Sequence, residues 1–294
     1  MKIVVTGSLG NISQPLTIAL VQKGHTVTVI SSNPERQKDI EALGATAAIG
    51  SVEDADFLTT VFSGADVVYT MIPPNFIVPD PIVHYKIIGE SYAQAIKRSG
   101  IKQVVHLSSW GAHLEKGTGF IVGSYHIEQI FNQFRDISIT YLRACSFYNN
   151  LYHYADMIKG AGFIGTNYGG DDKVVMVSPN DIAAAVIEEM EIPTAGKKIR
   201  YVASDEHSCN EIATILGNAI GKPDLKWVTF TDEQTQAAME NNGVPALIAA
   251  KFTELNAAIR TGAIREDYDR HKPTFGKVKL TDFAKEFAEV FKQK

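Results

Sequence analysis

In the first half of the chain, apolar runs of five to seven residues alternate with segments whose apolar residues recur at helical spacing. The runs are typical of strands: KIVVTG (2–7), TVTVIS (26–31), TAAIG (46–50), DVVYTMI (66–72), QVVHLSS (103–109) and SITYLRA (138–144). The segments between them repeat apolar side chains at i, i+3, i+4 and i+7, the period of an amphipathic helix. This alternation predicts the α/β class, with a parallel sheet covered by helices on both faces, the doubly wound Rossmann architecture.

The pattern changes after about residue 147. FYNNLYHYADMI is aromatic and irregular, GAGFIGTNYGGDD is a glycine-rich loop, and the pattern from Asn210 onward is mainly helical. One strand–helix–strand stretch at about 174–203 resumes the earlier alternation. We therefore predict a Rossmann domain over residues 1–147 with a return at about 174–203. A smaller, mainly helical substrate-pocket domain over 148–294 is interleaved with it.

Composition and charge narrow the classes of partner. The 294 residues carry a net charge of −5, with 45% hydrophobic and 21% charged residues, as in an ordinary globular protein. Without clustered cations there is no electrostatic basis for binding nucleic acid or an anionic membrane. No apolar run approaches the roughly 20 residues needed to span a bilayer. Cys145 and Cys209 form no metal-binding spacing. We therefore expect no metal site and a cytoplasmic location.

The turn after the first strand has the spacing Gly7-x-x-Gly10-x-x-Ser13. In a dinucleotide-binding loop, the first glycine permits a tight turn, the second lets the backbone approach a pyrophosphate, and the third packs the helix on the strand. Ser13 occupies the third position without altering the phosphate-facing ones. Because the loop opens a full series of βαβ units, we expect it to bind a dinucleotide, the alternative being a vestigial turn. The predicted cradle consists of Gly7, Leu9, Gly10, Asn11 and Ile12.

The end of the second strand bears on the choice between NADP and NAD. An NAD enzyme usually has an acidic residue there for the ribose hydroxyls, whereas this chain has Ser31, Ser32 and Asn33. Asn33 and Pro34 predict a helix N-terminus, and Arg36 in its first turn can meet a 2′-phosphate. The alternative for Arg36 is a solvated surface residue. The missing carboxylate favours NADP as the cofactor, and NAD remains the alternative.

With these motifs identified, the chain resembles the NmrA-like branch of the atypical short-chain dehydrogenases. The matching stretches lie between residue 2 and about residue 230: TGSLGNIS, SNPERQ, HLSSWGA, HIEQIF, YLRACSFYNNL and VSPNDIAAA. HIEQIF is most similar to the bacterial NADPH-dependent quinone reductases of this family. The resemblance implies a Rossmann fold, NADPH as cofactor and hydride transfer to a quinone. One departure is that Ser31 or Ser32 replaces the arginine usual before Asn-Pro.

A second departure concerns catalysis. Standard short-chain dehydrogenases pair a tyrosine with a lysine four residues later, but Tyr125 is followed at that spacing by Gln129. We assign catalytic roles to Ser109, Tyr125 and His126, since a hydroxyl can orient an oxygen and a histidine can donate a proton near neutral pH. The predicted cofactor contacts also include Met71, Pro73 and Ser108. The predicted substrate contacts are Trp110, Phe147, Tyr148 and Asn150. The alternative is a helix cap or turn for the serines and ordinary helix packing for Tyr125 and His126. For the aromatic residues it is an ordinary core, and for Pro73 it is a role only in shaping a loop.

The leading hypothesis is an oxidoreductase that transfers hydride from NADPH to a quinone or related conjugated carbonyl. Such chemistry depends mainly on orientation, because the cofactor supplies the reactive hydride. A regulatory protein that senses NAD(P) without turnover is the alternative, favoured by the absent lysine. A sugar-nucleotide epimerase or dehydratase is a third hypothesis, weakened because that chemistry relies on the absent pair. A homodimer or a protein partner stays open.

Overall fold

The computed structural model describes residues 1–192 and 195–293. Its strands are β1 (Lys2–Val5), β2 (Thr26–Ser31), β3 (Thr46–Ile49), β4 (Val67–Thr70), β5 (Gln103–Ser109), β6 (Ser138–Ala144), β7 (Ser146–Phe147), β8 (Ile164–Thr166), β9 (Lys173–Val177), β10 (Lys197–Val202), β11 (Asp205–Ser208) and β12 (Trp227–Thr229). Its α-helices are α1 (Ser13–Gln22), α2 (Gln37–Ala42), α3 (Ala55–Phe62), α4 (Pro81–Ser99), α5 (Val122–Asn132), α6 (Ala155–Ala161), α7 (Pro179–Glu191), α8 (Cys209–Ala219), α9 (Asp232–Asn241), α10 (Ala246–Arg260), α11 (Glu266–Arg270) and α12 (Leu280–Gln293).

These elements form two compact units. The first unit comprises Met1–Ala112, Gly123–Arg143 and Ile182–Arg200. The second unit comprises His113–Val122, Ala144–Asp181 and the chain from Tyr201 onward. The chain therefore passes between the units several times, and its return to the first unit spans residues 182–200.

A seven-stranded sheet forms the centre of the first unit, in the order β10-β6-β5-β4-β1-β2-β3. Strand β1 pairs in parallel with both β2 and β4, and the pairs β2–β3 and β4–β5 are also parallel. The order reverses at β1, whose two neighbours come later in the chain on either side. This is the topological switch of a doubly wound fold, at which ligands bind beyond the carboxyl ends of the strands. The predicted fold class is confirmed.

The second unit contains two smaller sheets. Strands β11, β9 and β7 form one of them, and β12 pairs in parallel with β8 in the other. Strand β9 lies inside the stretch that the sequence pattern predicts to return to the Rossmann domain. It pairs instead with β7 and β11 of its own unit, because its register with these strands satisfies its backbone groups there. The returning segment is therefore shorter than the predicted 174–203.

Helices α3, α4 and α5 cover the core of the first unit. Strand residues such as Val4, Val68 and Val104 form one buried cluster with side chains from these helices, among them Phe62 and Ile127. Each large apolar side chain buried in this way contributes about 1.5–3 kcal/mol. The strands packed in this core end at the edge from which the candidate site is built. Among the described residues, no helix is long and apolar enough to span a membrane.

A histidine is buried in the same core. His106 on β5 is 1% exposed, its Nδ1 lies 3.0 Å from the Thr70 hydroxyl, and its ring packs edge-on against Phe131. Burial lowers the pKa of His106 from 6.5 to about 3. The imidazole is therefore neutral throughout the physiological pH range.

We predict that His106 makes the protein less stable as the pH falls below about 6.5. Between that pH and about 3 the unfolded chain binds a proton at His106 that the folded protein excludes. The free energy of unfolding then decreases with falling pH, by at most about 1.4 kcal/mol per pH unit from this group. Urea unfolding across this range tests the prediction. His106→Asn, which keeps a polar atom beside Thr70, is expected to have a shallower slope. Equal slopes for the two proteins would contradict the prediction.

Candidate functional site

The loop between β1 and α1 has the geometry of a phosphate cradle. Gly7 adopts a left-handed conformation with φ of +91°, and a Cβ on this residue would lie 2.6 Å from the Ser13 hydroxyl. The Gly10 N–H donates to the Gly7 carbonyl at 3.1 Å, so the turn closes on itself. A Cβ on Gly10 would lie only 3.1 Å from that carbonyl. Gly7 is therefore required by its conformation and by close approach, and Gly10 by close approach alone.

At the start of α1, the N–H groups left to meet an anion are those of Asn11, Ile12 and Ser13. The next two positions offer none, because the Gln14 N–H donates to the Gly10 carbonyl at 3.0 Å and Pro15 has no N–H. The turn has neither a side-chain cap nor an acidic residue, while Asn11 is exposed and Ile12 is buried. The N-terminal N–H groups of a helix have no intrahelical partners, and the helix dipole favours negative charge there. The residues at this turn therefore fit a pyrophosphate.

Ser13 has a structural role that the sequence pattern did not reveal. Its hydroxyl donates to the Thr6 carbonyl at 2.8 Å, and the Thr6 hydroxyl accepts from the Met71 N–H at 2.9 Å. The Met71 carbonyl in turn accepts from the Tyr92 hydroxyl at 2.8 Å. These bonds tie α1 to the ends of β1 and β4. Met71 consequently lies against Gly7, beside the predicted cradle.

The end of β2 carries no acidic residue, and its first serine is already bonded within the protein. Ser31 is buried, and its hydroxyl oxygen accepts from Ser8 at 2.9 Å and from the Asn33 N–H at 3.2 Å. Ser8 adopts a left-handed φ of +53°, which brings its hydroxyl to Ser31. Ser32 and Asn33 are exposed. This edge of the cradle is therefore polar and uncharged.

Arg36 is the cation nearest in sequence to this edge. The Asn33 side chain accepts from the Glu35 N–H and caps a short 3₁₀ helix, Pro34–Arg36, with Pro34 in its first turn. This is the helix start that the sequence predicts. The Arg36 side chain is 52% exposed and lies 3.3 Å from an Asp39 oxygen. An exposed pair of this kind contributes little to stability and can exchange partners.

At the end of β5, Ser108 belongs to a buried hydrogen-bonded chain. Its hydroxyl donates to Glu128 Oε1 at 2.6 Å. Arg143 on β6 donates to the same carboxylate with Nε at 3.0 Å and with Nη2 at 2.6 Å. The side chains of Glu128 and Arg143 are 4% and 5% exposed. The sequence pattern predicts no role for either residue, although Glu128 lies in the stretch HIEQIF and Arg143 in YLRACSFYNNL.

The remaining candidates of the first unit lie on β5, just after it and on α5. Ser109 is half-buried and Trp110 is buried. Tyr125 and His126, within one turn before Glu128, are half-buried, with their rings 5.5 Å apart. Burial, reinforced by the charge of Lys86, lowers the pKa of His126. The catalytic roles of Ser109, Tyr125 and His126 stay predictions. Pro73 is half-buried after β4, and its contact with the cofactor also stays a prediction.

The last three candidates lie in the second unit. Tyr148 is buried, stacks on Phe283 with ring centroids 5.3 Å apart, and donates its hydroxyl to the Val278 carbonyl at 3.2 Å. These contacts hold the ring in that unit's core. Phe147 is half-buried, and Asn150 is exposed with its amide 3.5 Å from the Ser146 hydroxyl. The substrate-binding role of these residues stays a prediction.

Comparison with known proteins agrees with this geometry. The model of the NmrA-like family matches residues 1–263, which confirms the resemblance seen in the motifs. An NAD(P)H azoreductase of Xenophilus azovorans is 25% identical over 294 residues, covering 98% of this chain and 99% of that protein.

Two solved structures have the same fold. One is the Citrobacter sp. triphenylmethane reductase complexed with NADP(H), with a TM-score of 0.78 and 20% identity over 97% of this chain and 99% of that one. The other is an NADPH-dependent quinone oxidoreductase of Escherichia coli complexed with NADPH. Its TM-score is 0.75, with 18% identity over 97% of this chain and 99% of that one.

We predict that Gly10→Val abolishes binding of NADPH while the protein remains folded. The branched side chain would fill the space in which the backbone meets a pyrophosphate. Calorimetric titration with NADPH measures the effect, and the melting temperature reports folding. Gly160→Ala, at an exposed helical position with no atom within 4 Å of the added Cβ, is the control. Wild-type affinity in a folded Gly10→Val protein would show that this loop is not the phosphate site.

Proposed function

The chain belongs to the NmrA-like family, and on this basis we propose that it is an oxidoreductase that transfers hydride from NADPH to a quinone or related conjugated carbonyl. The observation that carries the proposal is the carboxyl edge of the sheet. There an uncapped helix N-terminus adjoins a strand end without a carboxylate. These features suit the pyrophosphate and the phosphorylated ribose of NADPH.

The strand order supports one arrangement for the parts of NADPH. The pyrophosphate lies on the cradle from Gly7 to Ile12, at the switch point beside β1. The adenosine half extends over the end of β2, and the nicotinamide half over the ends of β4 and β5, where Met71 and Ser108 lie. NADPH supplies the hydride, and the protein orients it and excludes competing acceptors.

Selection of NADPH over NADH follows from charge at the end of β2. A carboxylate there would pair with the ribose hydroxyls of NADH and repel a 2′-phosphate. This chain instead has the Ser8–Ser31 hydrogen bond and a partly exposed guanidinium at Arg36. A guanidinium suits a phosphate because its donors match the phosphate oxygens.

The acceptor class is supported by the chemistry of the relatives. They are named for the reduction of azo compounds, triphenylmethane dyes and quinones, all of which are conjugated electron acceptors. Such acceptors take a hydride without prior protonation, so the tyrosine–lysine pair is not required. Its lysine position is Gln129, which is exposed. We propose that His126 or Tyr125 supplies the following proton and that Ser109 and Trp110 border the acceptor.

Gln129 also favours the second candidate, an NAD(P)-sensing protein without turnover. The two functions are distinguished by following NADPH oxidation with a simple quinone, an azo dye and an unconjugated aldehyde, beside calorimetric binding of NADPH. We expect turnover with the quinone and none with the aldehyde. Binding without turnover on any acceptor would favour the sensor, and absence of binding would contradict both functions.

We predict that Arg36→Ala weakens NADPH binding about tenfold and leaves NADH binding nearly unchanged. Only NADPH has the 2′-phosphate, and a charged hydrogen bond to it contributes about 1.5 kcal/mol or more. Arg270→Ala is the matched control, since Arg270 is also an exposed arginine bonded to a carboxylate one helical turn away. Dissociation constants at fixed low salt test the prediction. Equal losses for both cofactors, or no loss, would contradict the proposed contact.

A further inference from the structure

The hydrogen-bonded group of Ser108, Glu128 and Arg143 carries a large desolvation free energy for a protein core. Three elements contribute to it: Ser108 lies on β5, Glu128 on α5 and Arg143 on β6. Removing a carboxylate and a guanidinium from water costs several kcal/mol per ion, and apolar replacements of similar size often leave a protein equally stable. Stability alone therefore does not account for the pair, which points to a role in fixing geometry.

The geometry that the pair fixes is the direction of the Ser108 proton. A carboxylate bonded to a guanidinium accepts hydrogen bonds and donates none. The Ser108 hydroxyl has one proton, and at 2.6 Å that proton lies on the bond to Glu128 Oε1. The serine oxygen can therefore accept a further hydrogen bond but cannot donate one. Ser108 is 5% exposed, so a partner on this oxygen would be largely shielded from water.

From this arrangement we infer that Ser108 recognises the nicotinamide through an N–H group, the amine of its carboxamide, and that Glu128 and Arg143 are positioning residues for this contact. The inference rests on the proposed function, which puts the nicotinamide over the end of β5. It assigns the serine the role of acceptor. A serine that donated its proton to a substrate carbonyl would have to give up its bond to a buried carboxylate.

The orientation of the carboxamide follows from this contact. An acceptor at Ser108 fixes which end of the carboxamide faces β5. Losing the contact would leave a buried acceptor without a donor, which is unfavourable. The contact is therefore expected to appear as selectivity between ligands that differ only in that N–H group.

The test compares calorimetric dissociation constants for NADP⁺ and for its 3-acetylpyridine analogue, in which a methyl group replaces the carboxamide amine and the carbonyl is kept. Wild type is expected to bind NADP⁺ about tenfold more tightly than the analogue. In Ser108→Ala the ratio is expected to approach one. In the double variant Glu128→Leu with Arg143→Met it is also expected to fall, because the freed hydroxyl can turn and donate to the carbonyl that both ligands have.

Thr140→Val is the matched control. Thr140 on β6 also has a buried hydroxyl, which donates to the buried carboxylate of Glu189 at 3.2 Å. That carboxylate in turn accepts from Lys198 and Arg200. This variant loses the same kind of hydrogen bond and is expected to keep the wild-type ratio. A purely structural role for Ser108 would change the melting temperature without changing the ratio.

The outcomes separate the inference from the proposed function. If wild type binds both ligands equally well, or if folded Ser108→Ala keeps the tenfold preference, the inference is wrong while the cofactor site stands. If wild type does not bind NADP⁺, both are wrong. Should the double variant fail to fold, the comparison of Ser108→Ala with Thr140→Val still decides between these results.

Discussion

Each strand of a buried parallel sheet leaves its hydrogen-bonded ladder at the carboxyl end, where its polar groups need other partners. In this protein side chains supply many of them. Ser13 donates to the Thr6 carbonyl, the Thr6 hydroxyl accepts from Met71, and Ser8 donates to Ser31. The same edge is the ligand-binding edge of a doubly wound fold. The hydrogen bonds that satisfy the strand ends therefore also determine which donors and acceptors remain available to a cofactor.

Much of the first unit could be predicted because its signals are local. Strand runs, helical periodicity and the Gly7–Gly10 spacing each depend on neighbouring residues, and the observed strands lie within the predicted runs. The turn at Asn33 and Pro34 was predictable for the same reason, since a capping side chain and a proline act within one helical turn. The missing carboxylate at the end of β2 is likewise visible from spacing alone.

What could not be predicted depends on contacts between residues distant in sequence. Glu128 and Arg143 are 15 residues apart and meet only when α5 packs beside β6. The Tyr148 hydroxyl bonds to the carbonyl of Val278, 130 residues away, because the irregular aromatic segment packs against the last helix of the chain. Strand β9 resembles the other strands in pattern, and only its partners place it in a separate sheet. Alternation predicts that a strand exists, not which strand it joins.

The central claim is that the carboxyl edge of the seven-stranded sheet binds NADP(H) in one orientation, and a crystal structure of the protein with NADP⁺ tests it most directly. We expect the pyrophosphate against the N–H groups at the start of α1. The 2′-phosphate should lie beside Arg36, and the carboxamide nitrogen about 3 Å from the Ser108 hydroxyl oxygen. A dinucleotide bound elsewhere, or a carboxamide oxygen facing Ser108 with the Glu128 bond broken, would contradict the account.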